Sequence, residues 1–297
     1  MASTLKLLLL DIKVSHTIFA MPFALLGAFM AVSMHGAIEW NAFTGQLLLI
    51  VGSMVFARNF AMISNRITDA VIDAHNPRTQ NRVIASGQVS VLQARWFQFL
   101  NIALFVICTF GFAYFWDNWL PLQCSLLVLA WLFLYAYMKR FTWLCHVYLG
   151  SSLALSPVCA VVAINPLFLQ EPTIWLLSSA VMCWVAGFDI IYALQDVEID
   201  KLDKLKSMPA SLGVKQAMLI SQFLHAISVA CLFSVATVDS KLGYLFLSTV
   251  IFIALLLIVE HMTVKKWGTT KIALTFFMLN GIVSIALGTS GIVDLLL

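Results

Sequence analysis

The sequence is short of charge. Of its 297 residues only 10% are Asp, Glu, Lys or Arg, against ~25% in an ordinary soluble domain. Hydrophobic residues make up 62%, and mean hydropathy is +0.96. Too few polar residues remain to cover a soluble surface, which excludes a soluble globular protein and a disordered chain; the solvent for most of the chain is lipid. Net charge is only +3, from 17 basic and 14 acidic residues, which argues against a nucleic-acid partner. Paired cysteine spacing is also missing. Cys108, Cys124, Cys145, Cys159, Cys183 and Cys231 are scattered through apolar runs without a CxxC, which excludes a disulfide scaffold and suits small buried apolar residues. No secretory signal is legible: four leucines follow Lys6 before Asp11, and no small-residue cleavage site comes after.

What is there is a series of long apolar runs. A spanning helix needs ~20 mostly apolar residues, because its backbone groups must be satisfied within the segment. Nine such segments are expected, over 14–35, 43–64, 91–115, 119–138, 143–166, 172–194, 214–236, 242–262 and 271–293, the fifth with a kink at Pro157. No stretch outside them is long enough for a second domain, so residues 1–297 are expected to form one all-α transmembrane domain. With the N-terminus placed in the cytoplasm, 15 of the 17 basic residues fall on the cytoplasmic side, Lys241 falls outside and Arg58 lies within the second span. A multi-pass protein of the bacterial inner membrane is expected, its oligomeric state left open.

Two cytoplasmic connections, roughly 65–90 and 195–213, are longer than the rest. With the helix ends that feed them they hold seven of the 14 acids: Asp69, Asp73, Asp189, Asp196, Glu198, Asp200 and Asp203. In NRITDAVID, Asn65, Asp69 and Asp73 recur every four residues and share a helix face, with Arg58 nearly in line. In DIIYALQDVEID, Asp189, Tyr192, Asp196 and Asp200 line another face at steps of three, four and four. Like charges one turn apart repel, so a cation is expected at both stripes. Mg²⁺ fits, since it takes carboxylate and phosphate oxygens and keeps waters; no His/Cys cluster lies near to favour zinc. Arg78 and Arg82 follow in NPRTQNR, and Lys139 and Arg140 end YAYMKR one turn after Tyr135. Arginine grips phosphate oxygens bidentately and lysine adds a point charge. Lys201, Lys204 and Lys206 read as charges of the inner face, and Glu198 as a solvated residue. Arg58, inside a span, is costly and therefore a functional candidate: it pairs with Asp69 or receives the anionic group of a second substrate.

Acids, Mg²⁺ and bases at a membrane face describe a diphosphate clamp, and a lipid-like cavity behind it suggests a polyprenyl diphosphate. Mg²⁺ and the bases would stabilise charge on the departing diphosphate. The allylic cation left behind must be shielded from water and captured by an electron-rich acceptor.

On these residues the chain resembles the UbiA superfamily of intramembrane aromatic prenyltransferases. RNFAMISNRITDAVIDAHNPRTQNRVIASG, from Arg58 to Gly87, is similar to the NDxxDxxxD motif and its RTxxRPLxSG tail. DIIYALQDVEIDKLDKLKSMPASLG is similar to the YxxxDxxxD element, and YAYMKR to the YxxxK element. The resemblance implies an all-α fold of about nine helices around a central cavity capped by the two Asp-motif loops. It also implies Mg²⁺-dependent transfer of a polyprenyl group to an aromatic ring. Asn65, Asp69, Asp73, Asp196 and Asp200 would hold Mg²⁺–diphosphate; Arg78, Arg82, Lys139 and Arg140 would contact the diphosphate, with Tyr135 beside them. Tyr192 would order the second motif, and Asp189 resembles an acid that orients or deprotonates the acceptor in the 4-hydroxybenzoate branch. Arg66 stands where many relatives have a second acid, Val83-Ile84-Ala85 replaces Pro-Leu-x, and KVSHTIFAMPFALLG departs from the KPxGTxLL pattern, with His16 a candidate acceptor contact. The acceptor expected is a hydroxylated aromatic acid like 4-hydroxybenzoate, in ubiquinone- or menaquinone-type quinone biosynthesis, with a dihydroxynaphthoate as the alternative. From another class, an acid-relay membrane transporter is the rival. A two-metal phosphoalcohol transferase ranks behind both, since its DGxxAR lead-in is missing.

Overall fold

A computed structural model describes residues 2–13, 17, 19–272 and 274–297. Its α-helices, in chain order, are α1 (Ala2–Asp11), α2 (Met21–Val32), α3 (Trp40–Thr68), α4 (Ala70–His75), α5 (Val91–Trp116), α6 (Leu120–Phe141), α7 (Cys145–Ile164), α8 (Pro172–Ala193), α9 (Val197–Leu202), α10 (Met208–Leu212), α11 (Val214–Val238), α12 (Tyr244–Trp267) and α13 (Asn280–Leu296). Among the described residues there is no strand, and eight helices are long and apolar enough to cross a membrane.

Local chemistry sets several boundaries. Ser90 and Gln93 form a reciprocal capping box at the start of α5, and Asp117 in the left-handed region (φ 53°) ends it. Pro172 opens α8, where its missing N–H costs nothing. The helix α3 runs to Thr68, one turn past the expected end at 64, because the polar motif continues its helical pattern. The first expected span, 14–35, is shorter as a helix: among its described residues the α-helix is the 12-residue α2, followed by a short turn of 3-10 helix at Ser33–His35. Pro22 lies in the first turn of α2, and Gly36 at φ 93° follows the 3-10 turn. A full bilayer length is unnecessary here because α2 is wrapped by protein. Its segment from Ala24 to Ala31 is buried apart from Leu25. Gly27 lies so close to α7 that an added Cβ would sit 2.7 Å from the Pro157 carbonyl oxygen.

The chain forms two compact units, Met1–Thr17 with Leu48–Phe141, and Ile18–Leu47 with Thr142–Leu297. In the first unit, Leu8 and Ile12 of the α1 segment pack with Ile63 of α3, Val83, Ile84 and Val89 of the loop, and Ala94 and Phe97 of α5. Farther along, Phe60, Phe105 and Leu129 join α3, α5 and α6. In the second unit, α8 packs against α7 and α11, and α2 against α7 and α13. Lipid offers helices no hydrophobic incentive to associate, so small residues that admit close backbone approach matter. A Cβ on Gly150 of α7 would lie 2.2 Å from the Met182 carbonyl oxygen of α8.

Polar glue completes the second unit. Trp184 Nε1 donates to Asn280 Oδ1 at 2.8 Å, and Asn280 Nδ2 donates to Glu260 Oε1 at 2.9 Å. His225 Nε2 donates to the Trp184 carbonyl at 3.2 Å, while His225 Nδ1 meets His261 Nε2 at 3.0 Å. This buried network links α8, α11, α12 and α13.

Candidate active site

The first acidic motif sits where α3 gives way to α4. Asp69 (φ −96°, ψ 6°) breaks the helix, but the i→i−4 pattern survives the break. Asp69 N donates to the Asn65 carbonyl at 2.9 Å and Asp73 N to the Asp69 carbonyl at 2.7 Å. Asn65, Asp69 and Asp73 therefore keep the spacing of one face, as the sequence pattern requires. Their charges are matched within the same unit. Asp69 is buried and accepts from Lys139 Nζ, from Arg140 Nη2 at 2.8 Å and from Asn65 Nδ2 at 3.1 Å. Arg140 also donates to the Thr68 carbonyl at 3.0 Å, at the break itself. Arg82 Nη1 straddles the Asp73 carboxylate at 2.7 and 2.8 Å. Arg78 is exposed in the turn whose backbone N–H is held by Asn76 Oδ1 at 2.9 Å. Tyr135 is half-buried one turn before Lys139.

The second motif repeats this local design in the other unit. Asp196 (φ −108°, ψ 5°) breaks the chain between α8 and α9, and Asp200 N donates to the Asp196 carbonyl at 2.7 Å. Each motif is thus an aspartate at a helix break followed by a six-residue helix whose fourth residue is the next aspartate. Asp200 accepts a hydrogen bond from Ser207 Oγ, and its carbonyl accepts from Leu205 N at 2.7 Å. Tyr192 and Asp196 are half-buried. Glu198 is 83% exposed at its side chain, with Lys201 3.5 Å away.

One expectation changes and another gains a partner. Arg58 does not pair with Asp69. Its Nη2 donates to the carbonyls of Ile12 and Lys13 at 2.9 and 2.8 Å, closing the end of α1, where helix carbonyls lack partners. Its Nη1 is buried with no hydrogen-bond partner among the described residues. Asp189 is also engaged: His146 Nδ1 lies 2.7 Å from its Oδ2, a contact absent from the sequence-derived site. His16 lies outside the described residues. Among those residues no group of three or more His, Cys, Asp or Glu side chains is arranged to hold a metal ion. The motif donors are nonetheless all oxygens, and Mg²⁺ completes its shell with water and phosphate, so the donor chemistry fits that ion.

Comparison with known proteins identifies the family. The model of the UbiA prenyltransferase family matches residues 20–282. The chain belongs to the UbiA prenyltransferase family. It is 30% identical over 203 residues to the 4-hydroxybenzoate octaprenyltransferase of Saccharophagus degradans, covering 68% of this chain and 60% of that protein. It is 29% identical over 200 residues to the enzyme of the same name from Shewanella piezotolerans, covering 67% of each. The structure of a UbiA homolog from Aeropyrum pernix K1 superimposes with a TM-score of 0.81 at 30% identity, over 95% of this chain and 98% of that one. A UbiA homolog from Archaeoglobus fulgidus, solved with GPP and Mg²⁺, shares the fold at TM-score 0.71 and 19% identity, over 97% and 99% of the two chains. Family membership and the eight apolar helices make this an integral, multi-pass membrane protein.

Within this UbiA chain the departures noted in the first motif form a unit of their own. Arg66 Nε donates to Asp11 Oδ2 at 2.9 Å, both side chains being more than nine-tenths buried. Asp11 Oδ1 accepts from the Val83 N–H at 3.2 Å, and Val83 and Ile84 are buried against Leu8 and Ile12. The basic residue in the motif and the apolar pair in its tail thus clasp α1 to the loop. His146, Asp11 and Ser207 escaped the sequence reading. The signal for Asp11 was Arg66, a basic residue inside an acidic motif; His146 gave none, its partners being 43 and 62 residues away, and Ser207, seven residues from Asp200, gave none because a loop serine is unremarkable by residue type.

Proposed function

We propose that this UbiA protein transfers a polyprenyl group from a polyprenyl diphosphate to a hydroxylated aromatic acid such as 4-hydroxybenzoate, in the quinone-forming direction. The observation that carries the reading is the pair of matching aspartate breaks, one of them charge-matched by Arg82, Lys139 and Arg140. The names of the Saccharophagus and Shewanella relatives support the acceptor, and the GPP and Mg²⁺ bound to the Archaeoglobus homolog support the donor and metal.

Asn65, Asp69, Asp73, Asp196 and Asp200 are the residues that would hold Mg²⁺ with the diphosphate. When bound, the ion supplies Lewis-acid stabilisation of the leaving diphosphate. Lys139, Arg140 and Arg82 now neutralise Asp69 and Asp73. They form a store of positioned cations that turn to diphosphate oxygens once those carboxylates bind elsewhere. Arg78 and Tyr135 extend that set, and Tyr192 orders the second motif. Arg58 keeps one buried guanidinium nitrogen for the acceptor's carboxylate. Asp189 orients its hydroxyl and accepts its proton as a ring carbon bonds the allylic cation, while the C–O bond to diphosphate breaks with its electron pair; the proton on the alkylated carbon then leaves to restore aromaticity as Asp189 returns one to the oxygen. Apolar surroundings keep water from the allylic cation. In this reading the bias of basic residues toward one side puts both motifs on the cytoplasmic face.

The test is direct. Purified protein with Mg²⁺, radiolabelled geranyl diphosphate and a panel of acceptors should yield prenylated 4-hydroxybenzoate. A dihydroxynaphthoate product instead would move the acceptor and keep the reaction. No product from any aromatic acceptor would overturn the proposal, and proteoliposome flux dependent on Asp69 but not on Mg²⁺ would replace it with transport.

A further inference from the structure

His146 stands in the first turn of α7 with its side chain 5% exposed. Both of its ring nitrogens are engaged. The Met208 backbone N–H, 3.1 Å away, points at Nε2. A backbone amide only donates, so Nε2 is an acceptor and carries no proton. The proton of the neutral ring is then on Nδ1, which donates to Asp189 Oδ2 at 2.7 Å. Among the described residues this is the only hydrogen bond to the Asp189 side chain, which is 21% exposed and so presents its second oxygen for use.

The other end of the contact is equally fixed. Met208 is buried against Ile190 and Ala217. Its neighbour Ser207, also buried, donates to the Asp200 carboxylate. Leu205, two residues earlier, donates its N–H to the Asp200 carbonyl. One short segment, 205–208, therefore holds Asp200 by two bonds and His146 by a third.

We propose that His146 is a positioning residue for prenyl transfer: as an Nδ1–H donor it fixes the Asp189 carboxylate and ties it to the segment that holds Asp200. This rests on the functional reading given above, in which Asp189 meets the acceptor. Histidine is suited to the place because it is a rigid side chain that accepts at one edge and donates at the other. Lysine or serine in its place would not present both at that separation.

The test uses the full-length protein with Mg²⁺, geranyl diphosphate and 4-hydroxybenzoate. His146→Ala should raise the KM for 4-hydroxybenzoate or lower kcat/KM for it about tenfold, with the KM for geranyl diphosphate within about twofold. His146→Gln offers an amide oxygen to Met208 and an amide N–H to Asp189, and should restore the acceptor constant to within about threefold. Adding His146→Ala to Asp189→Asn should cost nothing further. Equal losses for donor and acceptor, a glutamine no better than alanine, or additive double-variant losses would overturn the proposal. Should the alanine variant fail to fold, ¹⁵N NMR of the six histidine rings, with the His146 signal assigned by its loss in His146→Gln, decides instead. An Nδ1–H tautomer upholds the proposal and an Nε2–H tautomer overturns it. A wild-type protein that prenylates nothing defeats the functional reading itself; an active wild type with wild-type kinetics in His146→Ala defeats this inference alone.

Discussion

Asp69 is buried and takes hydrogen bonds from Lys139, Arg140 and Asn65. Its replacement by alanine removes a proposed metal ligand and leaves two cations without their partner. Asp69→Ala, Asp73→Ala, Asp196→Ala and Asp200→Ala should each lower turnover by at least about 100-fold in product-formation assays, with the protein still recovered from membranes as a folded species. Full activity in any two would undo the metal assignment. Glu198→Ala should stay within about twofold in the same assay, since Glu198 is an exposed side chain whose ion-pair partner, Lys201, is itself exposed. At this scale the acids were legible because four-residue spacing survives folding. The partners of Arg58 were not, because they are two backbone carbonyls 46 and 45 residues away and a carbonyl leaves no trace in residue type. His146 was hidden for a similar reason: one of its two partners is a backbone N–H 62 residues off.

Among the elements, α1 shows how a departure in one motif is balanced by a residue outside it. Arg66 is a buried cation inside the acidic motif, and Asp11 at the end of α1 supplies the opposing charge. Removing one member of a buried pair costs about 3–5 kcal/mol, because the other is left uncompensated. Arg66→Ala is therefore expected to lower the thermal midpoint by several degrees and to open the loop between α4 and α5 to protease. Asp11→Asn keeps an acceptor for either Arg66 or the Val83 N–H and should do less damage. Unchanged midpoint and cleavage pattern in Arg66→Ala would show that α1 is not held by this pair. The helix ends themselves were readable where capping chemistry is local, as at Ser90 and Pro172. The length of α2 was not, because hydropathy cannot tell a helix wrapped by protein from one facing lipid. Nor did the long apolar runs advertise Glu260 and His225, although an ionisable residue within a span is itself a signal of a polar partner.

For the whole molecule the open matter is sidedness, and α1 bears on it. The Asp11–Arg66 pair holds the end of α1 at the motif end of α3. The next residues of the chain must nevertheless reach Trp40, at the opposite end of a 29-residue helix that is about 43 Å long at 1.5 Å per residue. A crossing of the bilayer between Asp11 and Trp40 is therefore the expected topology, although the described helix α2 has only 12 residues. Helix ends agree with this count. Basic residues occupy the last turns of α3, α6 and α12, whereas the last turns of α5, α7, α8, α11 and α13 carry none. Apart from α8, whose basic residues follow in the loop at Lys201, Lys204 and Lys206, that alternation is what the positive-inside rule produces. In a background freed of the six native cysteines, Asp117→Cys should react with a membrane-impermeant maleimide on intact spheroplasts. Lys6→Cys and Lys204→Cys should react only after permeabilisation. Labelling of Lys6→Cys from outside with Lys204→Cys still protected would mean that the α2 segment does not cross, and that the ion pair joining α1 to α3 does not form. Reversal at all three positions would turn the protein over and move both aspartate motifs to the far side of the membrane.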